Sequence, residues 1–188
     1  EPFVNFYDIA KKENISDLDA AKIMIKQAKD CGIDAVKFQS YKAETIASKS
    51  SSSYWDLSEE STTSQFDLFK KFDKFGRDEY KELADYCREI GIIFLATPFD
   101  FESVDYLDEF MDIYKISSSD LTNIPFIKYI AAKNKPILLS TGASTLNEIK
   151  QAVKAIEDVS TGDIAIMHCV LAYPTDYEDR KSTRLNSS

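Results

Sequence analysis

Two lysines stand where lysines are costly. Lys37 lies inside the apolar run AVKFQ (35–39), and Lys115 lies inside IYKIS (113–117). An ammonium group within a buried strand needs a compensating partner. The ordinary solution is a nearby carboxylate, or a stem that carries the charge out to water. The alternative is a shared anion. Hydroxyls stand at or just beyond the ends of neighbouring apolar runs, at Thr97, Ser118 and Ser140. Two ammonium groups and a ring of hydroxyls suit a phosphate, a dianion with strong acceptor oxygens. Taken singly, any of these hydroxyl residues is more often a turn or cap residue than a ligand. Their convergence at successive run ends carries the weight.

His168 is the only histidine, and it closes the run IAIMH (164–168). A lone strand-end histidine is more often a satisfied polar residue than a metal ligand. One imidazole cannot hold a divalent ion alone; it needs carboxylates, waters or further ligands. Asp120, closing SSSD (117–120), reads as a base, an orienting carboxylate or the start of a loop.

The elements that must position these groups are legible as short apolar runs, each followed by a stretch at helical spacing. The runs are AVKFQ, IIFLA (92–96), IYKIS, PILLS (136–140) and IAIMH, with FVN at 3–5 as the remainder of an earlier strand. They alternate little, which predicts strands buried on both faces, as in a parallel sheet. Ser16 is placed to cap a helix bearing Leu18, Ala21, Ile25 and Ala28, with Asp19 at the reciprocal capping position. Tyr80, Leu83, Cys87 and Ile90 form one face of a helix that Gly91 ends. Asp100 caps the helix of Val104 and Leu107. Asn123 precedes a short helix with Pro125 in its first turn. Ser144 is the expected cap of the helix carrying Leu146, Ile149, Val153 and Ile156.

The order is β-α repeated about six times. That leaves an open doubly wound sheet or a (β/α)8 barrel. No Gly-rich fingerprint follows any strand, which weakens a dinucleotide-binding sheet. A complete barrel takes roughly 250 residues, so the expectation is an open sheet or an incomplete TIM-type barrel. Residues 42–75 form a long β-to-α connection with serine runs. It reads either as a solvated excursion or as a lid, since long connections in compact domains are usually functional or disordered. Tyr54 and Trp55 would close over a ligand or pin that loop.

Bulk properties narrow the class. The chain of 188 residues suffices for one domain with a sizeable core. A formal net charge of −9 repels nucleic-acid phosphates, and no basic stripe offsets it. Any anionic ligand must therefore be held by a local cationic cluster. No apolar run approaches the roughly 20 residues of a membrane helix, and no basic-then-apolar leader is present. The three cysteines, Cys31, Cys87 and Cys169, form no C-x-x-C pair, which argues against a zinc site or disulfide frame and fits a reduced cytoplasm.

Five stretches carry a family resemblance: DAVKFQSYKAETIAS, ATPFDFESVDYL, YKISSSDLTNIPFIKYIA, KPILLSTGASTLNEI and IAIMHCVLAYPT. Together they resemble the catalytic domain of the N-acetylneuraminate (sialic acid) synthases, a family that includes the legionaminate and pseudaminate synthases. The likeness runs from Glu1 to about Glu178. It implies a (β/α)8 barrel that condenses phosphoenolpyruvate with an N-acylated amino sugar, using Mn2+ or Mg2+. By position, it implies phosphoenolpyruvate contacts at Lys37, Thr97, Lys115, Ser118 and Ser140. His168 would be one of two metal-binding histidines. Glu1, Asp120 and Lys115 would be catalytic; Glu1 matches the glutamate of the family's first strand. Asp120 replaces a common glutamate, keeping the carboxylate with a shorter reach. The family's NHNG is replaced here by NFYDIAKKEN, which opens the question of sugar specificity.

The resemblance further implies that the metal polarises the sugar aldehyde, that the methylene carbon of phosphoenolpyruvate attacks it, and that water addition then expels phosphate. It implies a homodimeric full-length parent with a small carboxyl-terminal antifreeze-like domain. Residues 1–178 are expected to be a partial synthase barrel, poorly active or inactive alone. Residues 179–188 read as a non-native tail, the in-frame translation of a common sequencing-adapter string. Two other readings stay open: another phosphate-binding barrel aldolase or synthase, and a non-catalytic phosphate-binding module.

Overall fold

The computed structural model describes residues 6–53, 55–58, 60–170, 175, 176 and 178. The expected strand at 3–5, Glu1, Tyr54 and the tail 179–188 lie outside the described residues. Five parallel strands follow one another: β1 (Ala35–Ser40), β2 (Ile93–Pro98), β3 (Tyr114–Ile116), β4 (Ile137–Ser140) and β5 (Ile164–Met167). Each begins and ends within two residues of its apolar run. β1 pairs with β2, and β3-β4-β5 form a second ladder. β2 and β3 lie side by side, so the order in space follows the order in sequence. Among the described residues the strands do not close into a barrel.

Helices α1 (Phe6–Glu13) and α2 (Asp17–Asp30) precede β1. α3 (Ala43–Ile46), α4 (Gln65–Phe72) and α5 (Arg77–Ile90) stand between β1 and β2. α6 (Phe101–Leu107) precedes β3, α7 (Ile124–Ala131) precedes β4, and α8 (Leu146–Glu157) precedes β5. α1 lies within the NFYDIAKKEN stretch, at Phe6–Glu13. One point corrects the sequence reading: the 42–75 connection contains α3 and α4 instead of running as one open loop. Asp73 secures that connection. Its side chain is buried, accepts from the Ala43 N–H at 2.9 Å and takes the Lys42 ammonium at 2.9 Å. Trp55 donates its indole N–H to the carbonyls of Glu60 and Thr62, so it pins its own loop.

Helix caps follow the sequence with two adjustments. Ser16 Oγ accepts from the Asp19 N–H at 3.0 Å, but the Asp19 carboxylate takes the serine hydroxyl and leaves the Ser16 N–H free of it. The cap of α8 is Thr145, one residue later than expected. Thr145 Oγ1 accepts from the Glu148 N–H and the Thr145 N–H donates to Glu148 Oε2 at 2.7 Å, a complete capping box. Ser144 instead hydroxyl-bonds the Gly142 carbonyl. Gly91 ends α5 with φ 73°, the left-handed conformation that an L side chain resists.

The register decides which side chains share a face. Val36, Phe38, Phe94, Ala96, Tyr114, Ile116, Ile137, Leu139 and Ile164 join one apolar core with the helices, which hold Leu83, Leu107, Ile127, Ile130 and Ile156 against them. Each side chain of this size removed from water contributes about 1.5–3 kcal/mol. Side chains alternate along a strand, so Lys37, Gln39, Leu95, Thr97, Lys115, Leu138 and Ser140 occupy the opposite face. That face is apolar at the amino end of the strands and polar at the carboxyl end. Burial on both faces holds for β2 after Ile93, for β3 and for most of β4, but not for β5, whose Ile166 and Met167 are exposed, nor for Lys37 and Gln39 of β1.

Candidate active site

The two lysines come to one face of the sheet. Lys115 is buried, and its Nζ donates to Ser140 Oγ on the next strand at 2.6 Å and to the Ile116 carbonyl at 2.8 Å. Neither partner is a carboxylate, so the ordinary solution for a buried lysine does not apply here. Burial, then the nearby charge of Lys37, pulls the Lys115 pKa down to about 8, with Cys169 opposing. Lys37 has no hydrogen-bond or ion-pair partner among the described residues. It reaches solvent along the open face, yet neighbouring side chains desolvate its ammonium enough to lower its pKa. Two mutually repelling, partly desolvated cations without a carboxylate define a place where an anion is favourable.

Hydroxyls and a backbone N–H complete the wall. Thr97 is buried on the face of Lys37, opposite Gln39 in the β1–β2 register. Ser118 stands in the 3-10 turn Ser118–Asp120 that follows β3 and accepts the Gly142 N–H at 2.9 Å. This bond ties the turn after β3 to the turn after β4. Thr141 Oγ1 donates to the Met167 carbonyl at 2.8 Å, joining the ends of β4 and β5. Ala143 adopts φ 52° in the same turn, a left-handed conformation that costs a non-glycine residue roughly 1–2 kcal/mol.

Cys169 is the neighbour that sequence reasoning did not place here. Burial alone would raise its thiol pKa. Hydrogen bonds from Ser140 and the Thr141 backbone, the Lys115 charge and Ser118 together pull it below its ordinary value. The same groups that would hold an anion thus favour the Cys169 thiolate. The sequence signal was the cysteine one residue past a strand-end histidine, a position fixed only by how the chain leaves β5.

Asp120 and His168 make no hydrogen bond or ion pair with either lysine among the described residues. Burial raises the Asp120 pKa, against hydrogen bonds from Asn123 and Ser119, and none of its recorded partners is a lysine. His168 directly follows β5 and is exposed. Among the described residues no three His, Cys, Asp or Glu side chains converge as metal ligands. No helix among them is long and apolar enough to cross a membrane. All three cysteines are free thiols.

Comparisons with known proteins give the family and the fold. A family profile described as the NeuB family matches residues 24–187. An uncharacterized protein of Methanocaldococcus jannaschii, MJ1065, is 42% identical over 164 residues, which cover 87% of this chain and 45% of that protein. The N,N'-diacetyllegionaminic acid synthase of Campylobacter jejuni is 38% identical over 168 residues, covering 87% of this chain and 50% of the enzyme. Among solved structures, the N-acetylneuraminic acid (sialic acid) synthetase of Leptospira borgpetersenii, in complex with citrate, superposes with a TM-score of 0.74 at 30% identity. That superposition covers 87% of this chain and 53% of the synthetase. The chain spans about half the length of the curated relatives it matches.

Proposed function

The chain belongs to the NeuB family, and from that premise we propose that it carries the phosphoenolpyruvate-binding wall of a sugar-acid synthase. In this reading the five strands are consecutive staves of a (β/α)8 barrel. The reaction joins phosphoenolpyruvate to an N-acylated amino sugar and yields a nonulosonic acid and phosphate. The observation that carries the reading is the pair Lys37 and Lys115 on one face, neither neutralised by a carboxylate, with Ser140 Oγ 2.6 Å from Lys115.

The phosphate of phosphoenolpyruvate would replace the missing counter-charge between the two ammonium groups. Lys115 donates to Ser140 Oγ, so the Ser140 hydroxyl hydrogen stays available to a phosphate oxygen, and the lysine can direct its third N–H or its Ser140 bond to the same anion. Thr97 and Ser118 supply further hydroxyls. Fixed donors of this kind cost little reorganisation when charge moves. The methylene carbon of the substrate forms the new bond to the acceptor's carbonyl carbon. Water then adds to the resulting cationic centre, and the C–O bond to phosphate breaks. Charge accumulates on the departing phosphate, where the two lysines stabilise it. Asp120, its pKa raised by burial, suits proton transfer with the acceptor or the attacking water. Glu1 belongs to this reading as a second carboxylate, and it lies outside the described residues.

The described residues do not fit a divalent metal. His168 offers one exposed imidazole, and no further ligands converge on it among them. None of these steps is therefore routed through a metal. The Mn2+ or Mg2+ requirement, the homodimeric parent and a cytoplasmic location belong to the proposal as expectations from the family.

Titration calorimetry with phosphoenolpyruvate tests the reading. The chain should bind it, inorganic phosphate should compete, and Lys37→Ala or Lys115→Ala should each weaken binding about tenfold or more. Absence of binding, or lysine variants that bind as well as the parent, would remove its basis.

A further inference from the structure

The Lys37 ammonium has no carboxylate partner among the described residues, yet the backbone just beyond it is firmly held. The end of β1 and the turn after it meet α5 and α6 on the side of the strand opposite Lys37, and the contacts there are polar. We propose that the buried hydroxyl cluster of Ser40, Ser103 and Tyr106, with Tyr80 beside it, positions Lys37 for the anion. The inference rests on the synthase reading for the identity of that anion. It goes beyond it in giving a role to residues on the far side of the strand.

Alternation puts Ser40 on the helix side of β1 with Val36 and Phe38, and Lys37 and Gln39 on the other side. Val36 and Phe38 join the apolar core, whereas Ser40, fully buried, meets hydroxyls. Its Oγ donates to Ser103 Oγ of α6 at 3.0 Å and also bonds the Tyr106 hydroxyl. Ser103 and Tyr106 close the triangle at 3.3 Å. Each hydroxyl has one hydrogen to give, so donation in turn around the ring satisfies all three. From α5, the Tyr80 hydroxyl donates to the Gln39 carbonyl at 2.7 Å, and its ring stacks on that of Tyr106 at 6.2 Å. The Phe99 N–H donates to the Ser40 carbonyl at 2.9 Å. Asp100 accepts from the Ser103 N–H at 2.7 Å and, through its other oxygen, from the Lys42 N–H at 3.2 Å.

Apolar side chains would fill this space without the desolvation that three hydroxyls bring. A satisfied buried polar network rigidifies what it joins and specifies one arrangement. The consequence falls on Lys37. Its stem is long and its ammonium is not tied down, so the backbone at its root sets where the charge stands. Thr97 is held by the same network, because Asp100 lies three residues after it in the turn that the network ties to β1. Donors fixed in this way on β1 and β2 need little reorganisation when an anion arrives.

Lys115 reports where Lys37 stands. From β1, the Lys37 charge lowers the Lys115 pKa; from the turn after β5, Cys169 raises it; β4 supplies the neutral Ser140. Burial keeps the Tyr106 phenol above its ordinary pKa, so Tyr106→Phe removes a neutral hydroxyl and no charge. A change at Lys115 in that variant therefore comes through the position of Lys37.

Two measurements on the full chain test the proposal. The first is calorimetry with phosphoenolpyruvate on a double-mutant cycle. Tyr106→Phe and Ser40→Ala, each of which removes one oxygen atom, should weaken binding about fivefold in the parent. With Lys37→Met already present, the same changes should cost less than about twofold. A merely structural role gives the same factor in both backgrounds. The second needs no ligand: NMR titration of the lysine side chains, with Cys169→Ala in every chain so that Lys37 alone acts on Lys115. Tyr106→Phe should raise the Lys115 pKa by about half a pH unit or more, because a displaced Lys37 repels it less. Ile130→Ala, a core truncation on α7, controls for lost stability and should leave that pKa unchanged. Additive losses of affinity would overturn the proposal. So would a Lys115 pKa that Tyr106→Phe leaves in place or lowers, or that Ile130→Ala raises as far. If phosphoenolpyruvate does not bind the parent chain, the synthase reading falls, and the Lys115 titration still decides the positioning.

Discussion

Lys115 on β3 and Ser140 on β4 join across the strand pair at 2.6 Å, and among the described residues the lysine's other partner is the carbonyl of Ile116. Register sets this bond up. Leu138 is the direct neighbour of Lys115, so Ser140 lies two residues further toward the carboxyl end, on the same face. A long ammonium stem leaning along the strand reaches that offset. Ser140→Ala should leave the fold intact and lower phosphoenolpyruvate affinity about tenfold, since a hydrogen bond to a charged group is worth about 1.5–3 kcal/mol. Calorimetry checks the affinity and a thermal melt checks the fold. An unchanged dissociation constant would show that Ser140 merely stores the lysine.

The Lys115 ammonium makes binding pH-dependent. Its pKa near 8 lies below that of an unfolded lysine, so the unfolded chain holds the proton more tightly. Charged Lys115 therefore costs stability throughout the range below about pH 8. That cost fades as pH rises from about 8 toward the ordinary lysine value. Ligand binding runs the other way: the anion needs the proton, so affinity should fall as pH rises through about 8, by at most about tenfold per unit. Lys115→Met removes both effects. It should raise the melting temperature of the free protein by about 2 °C or more while abolishing the phosphoenolpyruvate response. A lower melting temperature would mean that the charge is structurally satisfied.

Much of this was legible in the residues. Strand positions followed from apolar runs, and Lys37 and Lys115 were marked by charge inside them, because burial of a cation is expensive wherever it occurs. The hydroxyl set Thr97, Ser118 and Ser140 follows from the same run ends. What was not legible depends on tertiary placement. α4 carries Phe66, Phe69 and Phe72 at helical spacing, but the flanking serines made the whole connection read as a loop. Ser144 and Thr145 are equally good caps in isolation; Glu148, three residues after Thr145, decides between them. Exposure of Lys37 and of β5 depends on which neighbours flank a strand, and no local pattern encodes that. Cys169 enters the cradle through the path of one turn.

Gly162 tests how tightly β5 is held. A methyl group built there would lie 2.7 Å from the Lys135 carbonyl oxygen and 3.0 Å from its carbon, both backbone atoms that cannot swing away. The Ile137 N–H bonds to the Asp163 carbonyl at 2.8 Å at the start of the β4–β5 ladder, so the two chains must approach closely at that point. Gly162→Ala should destabilise by about 1–3 kcal/mol, as overpacked sites do. Chemical denaturation measures it. Because Thr141 is tied to Met167 at the far end of the same ladder, phosphoenolpyruvate binding should weaken along with it. A neutral substitution would show that the connection between α8 and β5 has slack.

A desolvated lysine beside a second cation is also how a Schiff-base aldolase prepares its nucleophile, and Lys115 meets that description. The hydrogen bonds argue for the other role. Lys115 Nζ faces two acceptors, Ser140 Oγ and the Ile116 carbonyl, which favour the protonated form and hold its hydrogens away from a substrate carbon. Lys37 lacks those acceptors, and desolvation lowers its pKa as well, so it is the second lysine the experiment must cover. Borohydride reduction in the presence of pyruvate separates the roles. An imine-forming lysine is trapped as a stable secondary amine that peptide mass mapping locates; a phosphate-binding ammonium is not. The expected result at pH 7 is no adduct on either lysine, with phosphoenolpyruvate binding unimpaired after treatment. An adduct confined to Lys115, blocked by prior phosphate, would convert the cradle into an aldolase site and displace the synthase chemistry from it.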